Sequence, residues 1–110
     1  MIKDIIKIID DVRAIDIVCY DMRGISPFYE QVVICSGKTE RQTLAIMEHL
    51  KDYCHTNKIP VRVEGKESGK WVLVDMKEIV VNIFIPEERE YFQLEKLWLD
   101  VPMIDIEQYV

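Results

Sequence analysis

Features typical of membrane and exported proteins are missing from the sequence. No apolar run approaches the roughly 20 residues that a membrane-spanning helix needs. The first residues, Met1-Ile2-Lys3-Asp4-Ile5, contain neither a long apolar segment nor a small-residue cleavage pattern, so they do not resemble a signal peptide. We therefore expect a cytoplasmic protein.

Cysteine and histidine are scarce, and their spacing argues against the common metal and catalytic sites. The three cysteines, Cys19, Cys35 and Cys54, form no paired motif, and the first two lie in apolar runs, which indicates buried free thiols. The two histidines, His49 and His55, belong to no ligand motif. No Ser/His/Asp or Cys/His signature is visible either. We therefore predict no catalytic residue, no metal and no cofactor.

Positive charge is also in short supply. The chain has 14 Lys and Arg residues against 20 Asp and Glu residues, which gives a net charge of −6. Proteins that grip phosphate backbones do so with clustered Lys and Arg, so we expect little direct contact with nucleic acid. An acidic domain is better suited to a basic protein surface, although simple solubility would explain the charge equally well.

The length and the hydrophobic pattern predict one α/β domain over residues 1–110. A chain of 110 residues is long enough for a single core, and the pattern predicts a mixed sheet of about five strands flanked by helices. The predicted elements are a helix over 3–14, strands over 16–21 and 31–35, a helix from an N-cap at Thr39 to about Tyr53, a strand over 61–64, a hairpin over 71–75 and 79–85, a helical segment from Pro86 to Trp98, and an acidic-apolar tail over 99–110. The tail either covers a sheet edge or is loosely ordered.

The stretch from Gly69 to Trp98 is the most informative part of the chain. Two runs rich in β-branched residues are separated only by Met76-Lys77-Glu78, which is hairpin spacing. Such runs are typical of strands that are covered on both faces, so helices are expected on either side of the sheet. Asp75 stands out as a carboxylate at the end of a strand that otherwise looks buried.

Two enzyme motifs are only partly present. Ser36-Gly37-Lys38-Thr39 follows a strand and precedes a helix, like the end of a phosphate-binding P-loop, but Val32 stands where that motif needs its first glycine. A strand, a glycine and a helix also begin nucleotidyl-transferring enzymes, which hold two metal ions with a pair of carboxylates on a strand. Asp75 is followed at the second position by Lys77, which cannot be a metal ligand.

The alternative to an enzyme is an interaction surface. Aromatic side chains are the usual energetic anchors of interfaces, and acidic residues lie close to them in the sequence. The candidate partner-binding residues are Trp71, Asp75, Glu95 and Trp98, together with Glu64 and Phe92. The residues alone equally support the interpretation that the tryptophans fill the core and the acids are solvated.

Five groups of residues, in order, resemble one known family. They are Asp16-Ile17-Val18 with Asp21, Arg23, Gly24 and Ser26; Val33-Ile34-Cys35-Ser36-Gly37 with Arg41-Gln42; Val63-Glu64-Gly65; Trp71-Val72-Leu73 with Asp75; and Ile83-Phe84 with Leu94-Glu95 and Leu97-Trp98. Over roughly Asp16 to Pro102, this pattern resembles the RsfS/Iojap family of ribosomal silencing factors.

The sequence also departs from the pattern of that family at four places. Family members commonly have Asp-Tyr where this chain has Glu30-Gln31, Gly-Asp where it has Lys77-Glu78, His where it has Asn82, and Tyr where it has Phe92. The change in the hairpin turn alters only a loop. The other three change the polar groups that are available for contacts.

The resemblance implies a function that is not enzymatic. Such proteins bind the large ribosomal subunit through large-subunit ribosomal protein fourteen, block joining of the small subunit and repress translation under nutrient limitation. Some also take part in large-subunit biogenesis. The family fold is similar to that of nucleotidyltransferases without their active site, and homodimers are common. Two alternatives remain: a divergent nucleotidyltransferase-like enzyme, and a homodimeric adaptor for another basic protein.

Overall fold

A six-stranded mixed sheet forms the centre of the computed structural model, which describes all 110 residues. The helices are α1 (Ile2–Asp11), α2 (Glu40–Thr56) and α3 (Pro86–Phe92), with a first 3-10 helix over Leu94–Trp98 and a second over Ile106–Tyr109. The strands are β1 (Ile15–Asp21), β2 (Gln31–Ser36), β3 (Arg62–Glu64), β4 (Trp71–Asp75), β5 (Ile79–Phe84) and β6 (Met103–Ile104). None of the helices combines the length and the apolarity that are needed to cross a membrane.

The strands lie in the order β3-β4-β5-β2-β1-β6. Only β2 and β5 are parallel, and every other neighbouring pair is antiparallel, including the predicted β1–β2 and β4–β5 pairs. The predicted mixed sheet of about five strands is thus confirmed. The additional strand is β6, two residues of the tail that pair with Cys19 and Tyr20 on the outer edge of β1. The tail therefore covers a sheet edge.

Helices α1 and α2 cover one face of the sheet and enclose the main core. The apolar stripe of α1 buries Ile5, Ile6 and Ile9, and α2 contributes Ile46 and Leu50. The predicted N-cap of α2 is confirmed, since the Thr39 hydroxyl accepts a hydrogen bond from the Gln42 backbone N–H at 3.2 Å.

Both long helices end at a left-handed residue that is not glycine. Helix α1 ends at Asp11, earlier than predicted, because Arg13 adopts a left-handed conformation with φ of 66°. The Ala14 N–H then bonds to the Ile9 carbonyl at 2.9 Å and closes the helix as a Schellman motif. Helix α2 ends in the same way, with Lys58 in the left-handed position. Glycine usually occupies this position, and its absence hides the end of α1, whereas Asn57 and Pro60 indicate the end of α2, where Asn57 is the C-cap.

The other face of the sheet is covered by shorter segments. All six residues of β5 are buried, as predicted for a strand that is covered on both sides. The cover on this face consists of the 22–30 loop, α3 and the first 3-10 helix rather than a long helix. The predicted helical segment from Pro86 to Trp98 is interrupted at Gln93, which has a left-handed φ of 47°. This division leaves part of the face open.

Candidate functional site

A groove of about 400 Å³ lies on this second face of the sheet. Nine of its eleven lining residues are hydrophobic. We call it the aromatic groove, and its lining residues are Met22, Ser26, Phe28, Tyr29, Val32, Trp71, Leu73, Val80, Asn82, Leu94 and Trp98. Apolar concave surfaces with a few polar groups are the usual form of a binding site.

Strand alternation explains why the candidate residues of β4 face the groove. Successive side chains of a strand point to opposite faces, so Val72 and Val74 enter the helical core. Trp71, Leu73 and Asp75 consequently point to the other side. Asp75 is thus an ordinary member of the outward-facing set rather than a carboxylate in the core.

Trp71 is held rigidly in the floor of the groove. Its indole stacks on the ring of Phe84 with centroids 4.8 Å apart, and its Nε1–H donates to Asn82 Oδ1 at 3.0 Å. Asn82 is only 4% exposed, so this bond satisfies its buried carbonyl oxygen. Phe92 packs on Trp71 at 4.9 Å and remains 47% exposed. The structure therefore brings these two candidate residues into contact.

Trp98 lines another side of the groove. Its ring lies 5.4 Å from that of Tyr20, which is buried. Both Trp98 and Trp71 are half-buried. Each tryptophan therefore belongs partly to the core of this face and partly to the surface, which combines the two interpretations that the sequence left open.

Asp75 supports the end of the groove through both carboxylate oxygens. Oδ2 accepts a hydrogen bond from the Tyr29 hydroxyl at 3.0 Å and lies 3.5 Å from Arg62 Nη2. Oδ1 accepts from the Lys77 backbone N–H at 2.9 Å. The pKa of Tyr29 is raised, mainly by burial and then by the hydrogen bond to Asp75. Asp75 thus ties the 22–30 loop and β3 to β4.

The two glutamates among the candidates lie in different places. Glu95 is half-buried and accepts hydrogen bonds from Arg89, whose guanidinium also reaches Ser36. Glu64 is exposed on the edge strand β3 and lies 3.6 Å from Arg62 Nη2. The structure therefore groups Trp71, Phe92, Trp98 and Asp75 around the groove, with Glu95 behind Trp98 and Glu64 at the sheet edge.

The sequence analysis did not identify several residues of the groove. For Phe28 and Tyr29, the neighbouring sequence contained a usable signal. The Ser26 hydroxyl accepts hydrogen bonds from the N–H groups of Phe28 and Tyr29 at 3.1 and 3.2 Å. Such turns are characteristic of serine, and this one is followed directly by the two aromatic residues that line the groove. Phe28 is 77% exposed. Tyr20, Arg62 and Arg89 had no such signal, because their partners are distant in sequence.

The residues with possible enzymatic roles have structural explanations. A β-carbon at Gly37 would lie 2.8 Å from the Thr43 backbone nitrogen, so the glycine allows α2 to pack closely after β2. All three cysteines are buried and free, and burial raises the pKa of Cys19 and Cys35 to about 12. No group of three or more His, Cys, Asp or Glu side chains is placed to hold a metal ion.

A family model described as "Ribosomal silencing factor during starvation" matches residues 1–110. The chain belongs to the ribosomal silencing factor family. It is similar to the "Ribosomal silencing factor RsfS" of Bacillus subtilis (strain 168), with 43% identity over 96% of this chain and 93% of that protein. The resemblance inferred from the five residue groups is thereby confirmed.

Two further relatives extend the family comparison. A crystal structure of a protein from Bacillus halodurans superposes with a TM-score of 0.84 at 36% identity, and the match covers 94% of this chain and 95% of that one. The mouse "Mitochondrial assembly of ribosomal large subunit protein 1" is 36% identical over 64% of this chain and 33% of that protein. The fold is therefore shared with a bacterial protein of known structure, and part of the sequence is shared with a mouse protein.

Proposed function

We propose that the chain binds the large ribosomal subunit through large-subunit ribosomal protein fourteen, blocks joining of the small subunit and represses translation when nutrients are scarce. Membership of the silencing factor family over residues 1–110 carries this proposal. No catalytic step is needed, because a bound domain measuring 34 × 34 × 25 Å is large enough to exclude another surface from the docking face.

The aromatic groove supplies the binding energy in this proposal. A few desolvated aromatic side chains usually dominate the energy of an interface. Trp71 is already fixed by Phe84 and Asn82, so little side-chain entropy is lost when a partner covers it. Phe92 and Phe28 add exposed apolar surface next to it.

The negative net charge of the chain favours its association with a basic partner. The net charge of −6 attracts a basic ribosomal protein and is repelled by the phosphates of the surrounding RNA. This explains how a ribosome-binding protein can be acidic and make little direct contact with nucleic acid. Asp75 contributes mainly by holding Tyr29, which lines the groove.

Sedimentation with separated ribosomal subunits tests the binding step. We expect the chain to pellet with large subunits and not with small subunits. Trp71→Ala removes an interface anchor and Asp75→Ala releases Tyr29, so each should weaken binding about tenfold or more. Glu48→Ala is the matched control, because Glu48 is exposed on α2, on the opposite face of the sheet. Wild-type binding by folded Trp71→Ala and Asp75→Ala proteins would contradict the assignment.

A subunit-joining experiment tests the silencing step. Large subunits incubated with the chain before small subunits are added should form fewer complete ribosomes than untreated ones. Isothermal titration with Mg-ATP separates this function from a nucleotidyltransferase-like enzyme, for which specific binding heat is expected. Binding of Mg-ATP without binding of large subunits would favour the enzyme.

A role in large-subunit biogenesis is a second candidate function. The name of the mouse relative, which describes assembly of the mitochondrial large subunit, favours it. Cells without the chain should then accumulate incomplete large subunits even in rich medium, whereas a pure silencing factor would leave the subunit profile unchanged. Homodimer formation stays a prediction, which analytical ultracentrifugation of the purified chain tests.

A further inference from the structure

The segment that carries Phe92, Leu94 and Trp98 has little apolar anchoring of its own. Neither α3 nor the first 3-10 helix contains a buried residue. Gln93, in the left-handed conformation, separates the two. Segments with few buried apolar contacts open more easily than the core of a domain. Its apolar contacts are the partly buried Leu94 and Trp98 and the exposed Phe92, so its position over the aromatic groove depends on polar contacts as well.

Arg89 makes the polar contacts that join this segment to the sheet. Its Nη1 donates to Ser36 Oγ at 3.0 Å, at the end of β2. Its Nε and Nη2 both donate to Glu95 Oε2, at 3.2 and 3.1 Å. The Arg89 side chain is only 12% exposed, so these charge-assisted bonds are shielded from solvent. One planar guanidinium thus joins the sheet, α3 and the first 3-10 helix.

The same ion pair lies next to the ring on which Trp98 packs. Burial raises the pKa of Tyr20, the charge of Glu95 raises it further, and the charge of Arg89 opposes this effect. Tyr20 and Trp98 are in ring contact at 5.4 Å. Glu95 and Trp98 lie three residues apart in the same 3-10 helix, so displacement of Glu95 would move the helix that holds Trp98 against Tyr20.

We propose that Arg89 and Glu95 form a clamp that positions Trp98 and Leu94 at the groove, and that Glu95 acts through Arg89 rather than by touching the binding partner. The part that concerns binding rests on the proposed function. Arg89 is then a positioning residue for the interaction site, linked to the floor of the sheet through Ser36. The clamp itself is a property of the isolated chain.

Acrylamide quenching of Trp98 fluorescence tests the clamp without any partner. The chain has two tryptophans, so Trp71→Phe leaves Trp98 as the only emitter. In this background Arg89→Met keeps most of the side-chain volume and removes the donors. We expect the quenching constant of Trp98 to rise about twofold, with a red-shifted emission, as the segment opens. Glu95→Gln should give the same change, and the double variant should give no more.

Two controls and one conservative variant sharpen this measurement. Lys96→Met removes one positive charge, as Arg89→Met does, and Glu90→Gln removes one negative charge, as Glu95→Gln does. Lys96 and Glu90 are exposed residues of the same segment, and neither forms an ion pair. They should leave Trp98 quenching unchanged. Arg89→Lys should give an intermediate value, because one ammonium group cannot reproduce the three donor contacts of the guanidinium. If a folded Trp71→Phe, Arg89→Met protein has the same quenching constant as the Trp71→Phe parent, the clamp is wrong.

A double-mutant cycle with large subunits tests how Glu95 acts. In the chain with Trp71 restored, Arg89→Met, Glu95→Gln and the double variant should each weaken binding by the same factor of about ten, as residues that work as one unit do. If the losses multiply instead, Glu95 touches the partner and the inference is wrong. If the wild-type chain itself does not bind large subunits, the proposed function fails, and quenching alone decides the clamp.

Discussion

At the scale of single residues, burial decides which chemistry is open to this chain. Cys19 and Cys35 lie in the core between the sheet and the helices, and burial raises the pKa of both thiols from 9.0 to about 12. Both groups are therefore neutral and unreactive at physiological pH. We therefore expect the raised pKa values of these thiols to affect stability at alkaline pH rather than catalysis.

We predict that the free energy of unfolding falls as pH rises from about 9 towards 12, because the unfolded thiols ionise first and release protons that the native thiols keep. Near pH 10.5 this loss is about 2 kcal/mol for each thiol. Urea unfolding at about pH 8 and about pH 10.5 measures it. A Cys19→Ala, Cys35→Ala protein should lose less over this range, with the remaining loss due to tyrosines. An unchanged pH dependence would contradict the prediction.

Asn82 shows how a single residue fixes the geometry of the groove. It is the buried partner of the Trp71 indole N–H. The sequence predicted a strand at this position, and Asn82 was one of the departures from the family pattern. It could not reveal the Trp71 contact, which depends on the register of β4 against β5.

We predict that Asn82→Leu destabilises the chain by about 1–3 kcal/mol. This is the range expected when an inward-facing donor, here the Trp71 indole N–H, loses its hydrogen-bond acceptor. The emission of Trp71 in a Trp98→Phe background should shift as its ring loosens. Chemical unfolding with tryptophan detection checks both effects. Asn82→His should lie closer to the wild type, since imidazole can accept the same bond.

At the scale of elements, the sequence was most informative where capping and strand patterns agree. Thr39 with Gln42 marked the start of α2, and the β-branched runs marked the β4–β5 hairpin. Asn57 and Pro60 indicated the end of α2, whose C-cap is Asn57, but the end of α1 was hidden, because Arg13 occupies a left-handed position that normally holds glycine. Short segments such as β6 carry too few residues for a periodic pattern, so tertiary pairing alone defines them.

The two left-handed positions give a prediction about helix ends. Arg13→Gly and Lys58→Gly should each stabilise the chain by about 0.5–1 kcal/mol, because glycine avoids the steric strain of a positive φ. The effects should add, since each residue ends a different helix. Glu48→Gly, within the exposed face of α2, is the control and should instead destabilise the chain by about 1 kcal/mol. Thermal unfolding of the three variants shows whether each substitution stabilises or destabilises the chain.

At the scale of the whole molecule, the two faces of the sheet are covered differently. One face is closed by α1 and α2 around the main core, and the other carries the aromatic groove under short, lightly anchored segments. Composition and periodicity predicted the α/β architecture and the acidic character. They could not separate the faces, because the groove combines side chains from five parts of the chain: the 22–30 loop, β2, β4, β5 and the first 3-10 helix.

This division of faces predicts that acidic residues near the groove steer association more than acidic residues on the helical side. Glu64 lies opposite Leu73 on the edge strand β3, and Asp100 is exposed two residues after Trp98, so both are on the groove side of the sheet. A Glu64→Gln, Asp100→Asn protein should bind large subunits with an association rate about threefold lower than the wild type, because charges close to the contact dominate the encounter. The control Glu48→Gln, Asp52→Asn changes net charge equally on α2 and should have a smaller effect. Stopped-flow measurements at about 50 mM and about 300 mM salt should show the difference shrinking as the charges are screened. Equal slowing by both pairs would mean that net charge alone, and not the acidic side of the groove, guides the chain to its partner.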